Sequence, residues 1–216
     1  MKLNIRCVES ELFGQNCYVI WNGDSKDALV VDPGFDPEAI RDCLKSNGLN
    51  LAAILCTHGH VDHIAGNADL KKHYPDAPIW IGHGDAPMLL DARLNLSAKS
   101  GFEILSPPAD RLLVHAEQFE LAGLNFEVRE IPGHSPGHIV FVLHDHEPKL
   151  VFGGDVLFSG SVGRTDFPGG SFELLKSGIH SKLFDLPDST KVFPGHGPTT
   201  TVGEEKRTNP FVGLGV

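Results

Sequence analysis

A chain of 216 residues, 41% hydrophobic and 21% charged, has the size and balance of one compact soluble domain with a substantial core, not of a disordered segment. Its formal net charge of −10 repels a phosphate backbone and argues against RNA or DNA partners. No apolar run approaches the roughly 20 residues of a membrane helix and the first residues lack a signal-peptide core, so a cytosolic protein without membrane association is expected.

Short runs rich in β-branched residues predict strands at about 3–8, 17–21 and 28–31. Asp36 as N-cap, Pro37 as first helical residue, then Ile40, Leu44 and a stop at Gly48 predict an amphipathic helix to about 47. A strand over 51–56 follows, then a helix after His63 running toward His73, then a strand at 78–82. The stretch 84–105 turns polar and irregular after Met88-Leu89-Leu90 and reads as a short helix followed by a loop bordering a pocket. Strands return at about 125–131, 138–144 and 149–154, followed by a helix at 172–184 and a last strand at Lys191-Val192-Phe193. Without repeat or linker, 1–216 reads as a single α/β (α+β) domain with two sheets packed face to face and helices outside. Cys7, Cys17, Cys43 and Cys56 form no C-x-x-C pair and read as free thiols.

Twelve histidines are the unusual count, and four potential ligands crowd into Thr57-His58-Gly59-His60-Val61-Asp62-His63, directly after a buried strand. Several imidazoles and a carboxylate desolvated together need a neutralising cation. If the segment stays extended, His58, His60 and Asp62 face one way and His63 another, so one segment feeds two ions. Four-coordinate ions need further donors at other strand ends. His134 in Pro132-Gly133-His134, Asp155 in Gly153-Gly154-Asp155, and His196 in Pro194-Gly195-His196 are the candidates, with Asp155 able to bridge two cations. His83 reads as a support or surface residue and His138 as the start of a strand. His73, His115, His144, His146 and His180 read as solvated or structural. Asp32, at another strand end, is a candidate to accept the second ring N–H of a metal-bound imidazole.

The motif His58-x-His60-x-Asp62-His63, with His134, Asp155 and His196 following in order, resembles the metallo-β-lactamase superfamily over about residues 16–211. That resemblance implies a four-layer αββα sandwich, one ion held by His58, His60, His134 and Asp155, the other by Asp62, His63, Asp155 and His196, and a bridging hydroxide as nucleophile. Two divalent ions are expected, zinc first, with iron or manganese as alternatives. Asp62 is further expected to orient the hydroxide. Asn16-Cys17-Tyr18-Val19, the stretch Ser161 to Gly170, and Thr208-Asn209-Pro210-Phe211 resemble the glyoxalase II-like branch, which hydrolyses S-lactoylglutathione and related thioesters. The likeness is to its short members, which lack the C-terminal helical domain that helps bind glutathione. Arg164 stands where the family has a glutathione-contacting Lys, and Asp166 where it has a Tyr; Arg164 is the candidate anchor for a substrate carboxylate. The expected substrate is a small-molecule thioester. Rival readings are a persulfide dioxygenase with a single iron, a lactonase on the same scaffold, and a non-catalytic metal-binding module.

Overall fold

The computed structural model describes residues 2–23, 25–101 and 103–215. A first sheet runs in the order β1 (Leu3–Glu9), β2 (Asn16–Asn22), β3 (Asp27–Val31), β4 (Asn50–Cys56), β5 (Ile79–Gly82) and β6 (Arg111–Leu113). The chain then continues through β7 (Gln118–Leu121), β8 (Leu124–Glu130), β9 (Ile139–Leu143), β10 (Leu150–Gly154), a small hairpin of β11 (Leu157–Phe158) and β12 (Ser161–Val162), β13 (Lys191–Pro194) and β14 (Thr200–Thr201). The second sheet has the order β14-β13-β10-β9-β8-β7.

Alternating side chains divide the apolar residues into three seams. Along β2 and β3, Tyr18, Ile20, Leu29 and Val31 face the second sheet and meet Phe126, Phe141 and Phe152 from β8, β9 and β10. The opposite residues, Cys17, Val19, Ala28 and Val30, pack under α1 (Pro37–Ser46), α2 (Val61–Ile64) and α3 (Asn67–His73) through Ile40, Leu44, Ile64 and Leu70. Val140, Val142 and Val151, on the outer face of the second sheet, meet Leu175 and Ile179 of α4 (Phe172–Lys182) and Val202 of α5 (Val202–Thr208). Three seams separate four layers, the αββα sandwich that the sequence implied.

Several local expectations change. Asp36 does precede α1 and Pro37 opens it, but the Asp36 carboxylate accepts from the backbone of Glu11 and makes no cap bond. The helix after His63 begins earlier, at Val61, and breaks at Ala65-Gly66 into two pieces. The expected short helix after residue 84 is a 3-10 segment, His83–Leu90, followed by a second at Ser97–Ser100. Strands β6 and β7, at the sheet edges, had no prediction. β7 does carry a readable signal: Phe119 and Leu121 alternate before Ala122-Gly123, a turn with φ of 53° and 72° that leads into Leu124 and Phe126.

Strands β3, β4, β5 and β6 are mutually parallel, as are β10 and β13. Their carboxyl ends, the end of β8 and the start of the antiparallel β2 therefore emerge on one edge of the sandwich. Backbone bonds across that edge, Ile139 N–H to the Thr57 carbonyl at 2.9 Å and Asn16 N–H to the Gly195 carbonyl at 2.7 Å, tie the two sheets together there.

Candidate metal centre

Each donor sits where a strand stops. Thr57 to His60 follow β4, His134 follows β8, Asp155 follows β10 and His196 follows β13. The segment after β4 does not stay extended: His60 is the last residue in β geometry and Val61–Ile64 turns into α2, which carries Asp62 and His63 round to new directions. The ligand atoms of His58, His60 and His134 lie within 4.8 Å of one another, as do those of His58, His63 and Asp155, and those of Asp62, His63 and His196. Seven side chains drawn from four segments thus meet in one place. His63 Nε2 is 3.3 Å from Asp155 Oδ1, His134 Nε2 is 3.5 Å from Asp155 Oδ2, and His196 Nε2 is 3.3 Å from Asp62 Oδ2.

Hydrogen bonds behind the cluster dictate which ring nitrogen faces inward. Asp32, buried, accepts from the Thr57 backbone and hydroxyl, both at 2.7 Å, and its Oδ2 lies 3.0 Å from His63 Nδ1. With its hydroxyl donated to Asp32, Thr57 accepts from His58 Nδ1 at 3.1 Å. The Arg164 carbonyl accepts from His134 Nδ1 at 2.8 Å. His58 and His134 therefore keep their protons on Nδ1 and point bare Nε2 lone pairs at the centre, and His63, its Nδ1 tied to Asp32, turns its Nε2 the same way. His58 Nε2, His63 Nε2 and Asp155 Oδ1 are buried with no hydrogen-bond partner, whereas His60 Nδ1 is within hydrogen-bond distance of His134 Nε2 at 2.9 Å. Buried acceptors aimed at one another are costly unless a cation lies between them.

The charges agree. Burial, reinforced by neighbouring imidazoles, pushes His58 well below the usual histidine range and His60 down to about 3, so both are neutral donors. Burial alone would push His63 down too, yet Asp155 and Asp62 pull it well up. Asp155 stays ionised because His63 outweighs its burial. The site is one that draws positive charge, and its donor set of imidazoles and carboxylates suits a divalent metal.

Several supports had escaped the sequence reading. Asp85, buried at the start of the irregular stretch, accepts from Gly59 N–H at 3.3 Å, the Ser135 hydroxyl at 2.5 Å and Gly137 N–H at 2.6 Å. One carboxylate thereby joins the His58–His60 segment to the turn that bears His134. The approach demands glycine: a Cβ on Gly59 would fall 2.4 Å from the Met88 Cβ, and one on Gly137 2.4 Å from the Asp85 backbone nitrogen. His138 is more than a strand opener. It stacks on His58 at 4.6 Å and its Nε2 accepts from Asp155 N–H at 3.0 Å. Asn16 Nδ2 donates to the Pro194 and Gly197 carbonyls at 3.1 and 2.8 Å, and the Tyr18 hydroxyl donates to Pro194 at 2.7 Å, so β2 grips the His196 loop. His83 lies exposed on the surface.

A cavity of about 400 Å³ opens above the cluster, with His60, Asp62, His134, Asp155 and His196 at its floor. Arg164 lines it, but its guanidinium forks onto Asp166 at 2.9 and 2.7 Å and lies over the Phe167 ring at 4.5 Å.

Comparison with known proteins is consistent with this centre. The Metallo-beta-lactamase superfamily model matches residues 11–196. Hydroxyacylglutathione hydrolase GloC of Haemophilus influenzae is 40% identical, over 97% of this chain and 98% of that protein. The crystal structure of BLEG-1 B3 metallo-beta-lactamase has a TM-score of 0.91 at 37% identity, covering 97% of this chain and 99% of that one. TTHA1623 in a di-iron-bound form has a TM-score of 0.82 at 39% identity, covering 95% and 99%.

Proposed function

This chain belongs to the metallo-beta-lactamase superfamily, a hydrolase with a His/Asp metal site, and from that premise we propose that it hydrolyses thioesters of the S-lactoylglutathione kind with two divalent ions, zinc first. The observation that carries the proposal is the convergence of seven donors beneath one cavity, five of them at its floor. His58, His60, His134 and Asp155 would hold one ion; Asp62, His63, Asp155 and His196 would hold the other. Bound cations lower the pKa of a coordinated water toward neutrality and polarise the scissile carbonyl.

The chain's own residues complete the reaction. Asp62 accepts a hydrogen bond from the attacking water and turns its lone pair toward the carbonyl. Asp32 holds the His63 ring in register. Of the described side chains lining the cavity outside the donor set, Lys99 at the rim is the sole ammonium, and no hydroxyl or free carboxyl acid is among them. A thiol leaves as thiolate without prior protonation, whereas an amide nitrogen needs an acid in place, so this lining favours thioesters over lactams. The name of the Haemophilus relative points to the same bond, and that of BLEG-1 supports a second reading, β-lactam hydrolysis.

Purified protein is expected to carry two metals per chain by mass-spectrometric metal analysis, to cleave S-lactoylglutathione and largely to spare β-lactams. A reversed preference overturns the thioester reading. One iron per chain, with oxygen uptake on glutathione persulfide, would replace it with a dioxygenase.

A further inference from the structure

We propose that the cavity selects an apolar acyl group, so that within the thioester class hydrocarbon acyl chains are preferred to the hydroxylated lactoyl group. The inference rests on the thioester reading and concerns what lies beside the scissile carbonyl once the donors at the floor have fixed its position.

The walls above that floor are Phe13, Val61, Leu96, Phe158 and Phe167. Two of these rings are seated directly on the donors: Phe167 lies edge-on to His60 and His134 at 5.1 and 5.8 Å, and Phe158 edge-on to His196 at 6.0 Å. A substituent on the carbonyl carbon therefore meets hydrocarbon as soon as it leaves the metal centre. Leu96 is held there against its own preference. Its φ of 69° lies in the left-handed region, which costs a non-glycine residue free energy. The flanking backbone enforces it: the Asn95 carbonyl accepts from Val61 N–H at 2.9 Å, on the turn that carries Asp62, and Asn95 Oδ1 accepts from Ser97 N–H at 2.9 Å.

Among the described side chains of the lining outside the donor set, Asn95 is engaged and Arg164 is turned onto Asp166. The Asn95 amide also donates to the Ile104 carbonyl at 2.8 Å, so both its ends are satisfied. The Arg164 guanidinium turns its Nε and Nη2 onto Asp166 in an exposed pair and lays its plane as a cover on Phe167. Lys99 remains, on the exposed rim. A 2-hydroxyl beside the scissile carbonyl thus finds apolar neighbours, whereas each methylene there leaves water. An apolar wall rejects an added hydroxyl weakly, so S-lactoylglutathione is still turned over, at lower efficiency than its deoxy counterpart.

The test is a series of glutathione thioesters sharing one thiol: lactoyl, propionyl, butyryl and hexanoyl. Each kcat/KM is divided by the hydroxide-catalysed rate of the same compound, which removes intrinsic reactivity. The expected result is propionyl above lactoyl and a rise of roughly fourfold per added methylene. Leu96→Gly and Phe158→Ala are expected to flatten that rise with metal content unchanged. A flat or falling series, or lactoyl above propionyl, overturns the proposal while the thioester reading stands. If no thioester is cleaved, the thioester reading fails, and inhibition by the matching free carboxylic acids in any hydrolysis the enzyme does perform reads the wall alone. Potency rising with chain length supports the apolar preference, and constant potency overturns it.

Discussion

Replacing Asp85 tests whether the two donor-bearing segments are held together by one buried carboxylate. Asp85→Ala leaves Gly59 N–H, Gly137 N–H and the Ser135 hydroxyl facing a void. Bonds to a charged acceptor contribute about 1.5–3 kcal/mol each. Three of them would total roughly 4–9 kcal/mol, but the Gly59 contact is long and burial raises the Asp85 pKa, a sign that the carboxylate bears a desolvation cost of its own. A net loss of about 3 kcal/mol is the expectation. Asp85→Asn keeps the shape and one acceptor oxygen, which can serve Gly59 and Ser135 while its NH2 meets the Gly137 N–H donor to donor; a loss of about 1–2 kcal/mol follows. Urea denaturation of the metal-free protein measures both. Because His58, His60 and His134 are positioned through these bonds, metal affinity is expected to fall roughly 10- to 100-fold in Asp85→Ala, read by competition with a chromogenic chelator. Two variants with unchanged denaturation midpoints and unchanged metal affinity would refute the argument.

Removing metal with a chelator leaves Nε2 of His58 and of His63 and the Asp155 oxygen facing one another with no cation between them. For each ion bound about a thousandfold above its Kd, the lost stabilisation is about 4 kcal/mol. Each such loss corresponds to a fall in Tm of roughly 10 °C by scanning fluorimetry, reversed on adding zinc. An unchanged Tm in verifiably metal-free protein would contradict the cation-demanding centre. Asn16→Ala removes two hydrogen bonds to the His196 loop and is expected to cost about 2 kcal/mol in denaturation and to weaken one of two metal sites selectively. Equal weakening of both would show that the loop is not the link.

The residues of the centre were legible along the chain because each donor follows a strand whose apolar run ends in Gly, Pro or a turn. Burial alternation and turn chemistry are local properties, carried by neighbours in sequence. The strands of the core, α1 and α4 were read for the same reason, within a residue or two at their ends. Edge strands β6 and β7 were not: three or four residues half in solvent leave little periodicity, although Ala122-Gly123 marked the hairpin. Asp85 looked like any acid in a polar stretch. It is meaningful only because β5, parallel to β4, delivers it against Gly59 and Gly137, respectively 26 and 52 positions away. The same holds for His138 behind Asp155 and for Asn16 beneath Gly197. Arg164 is the reverse case, with a partner only two residues away; whether its fork met Asp166 or a substrate depended on how the loop after β12 lay over Phe167. Sequence by itself determined the donors and the strands that end at them. Tertiary structure decided which nitrogen each imidazole presents, what holds it and what lines the cavity above, because those contacts join segments that only folding brings within hydrogen-bond distance.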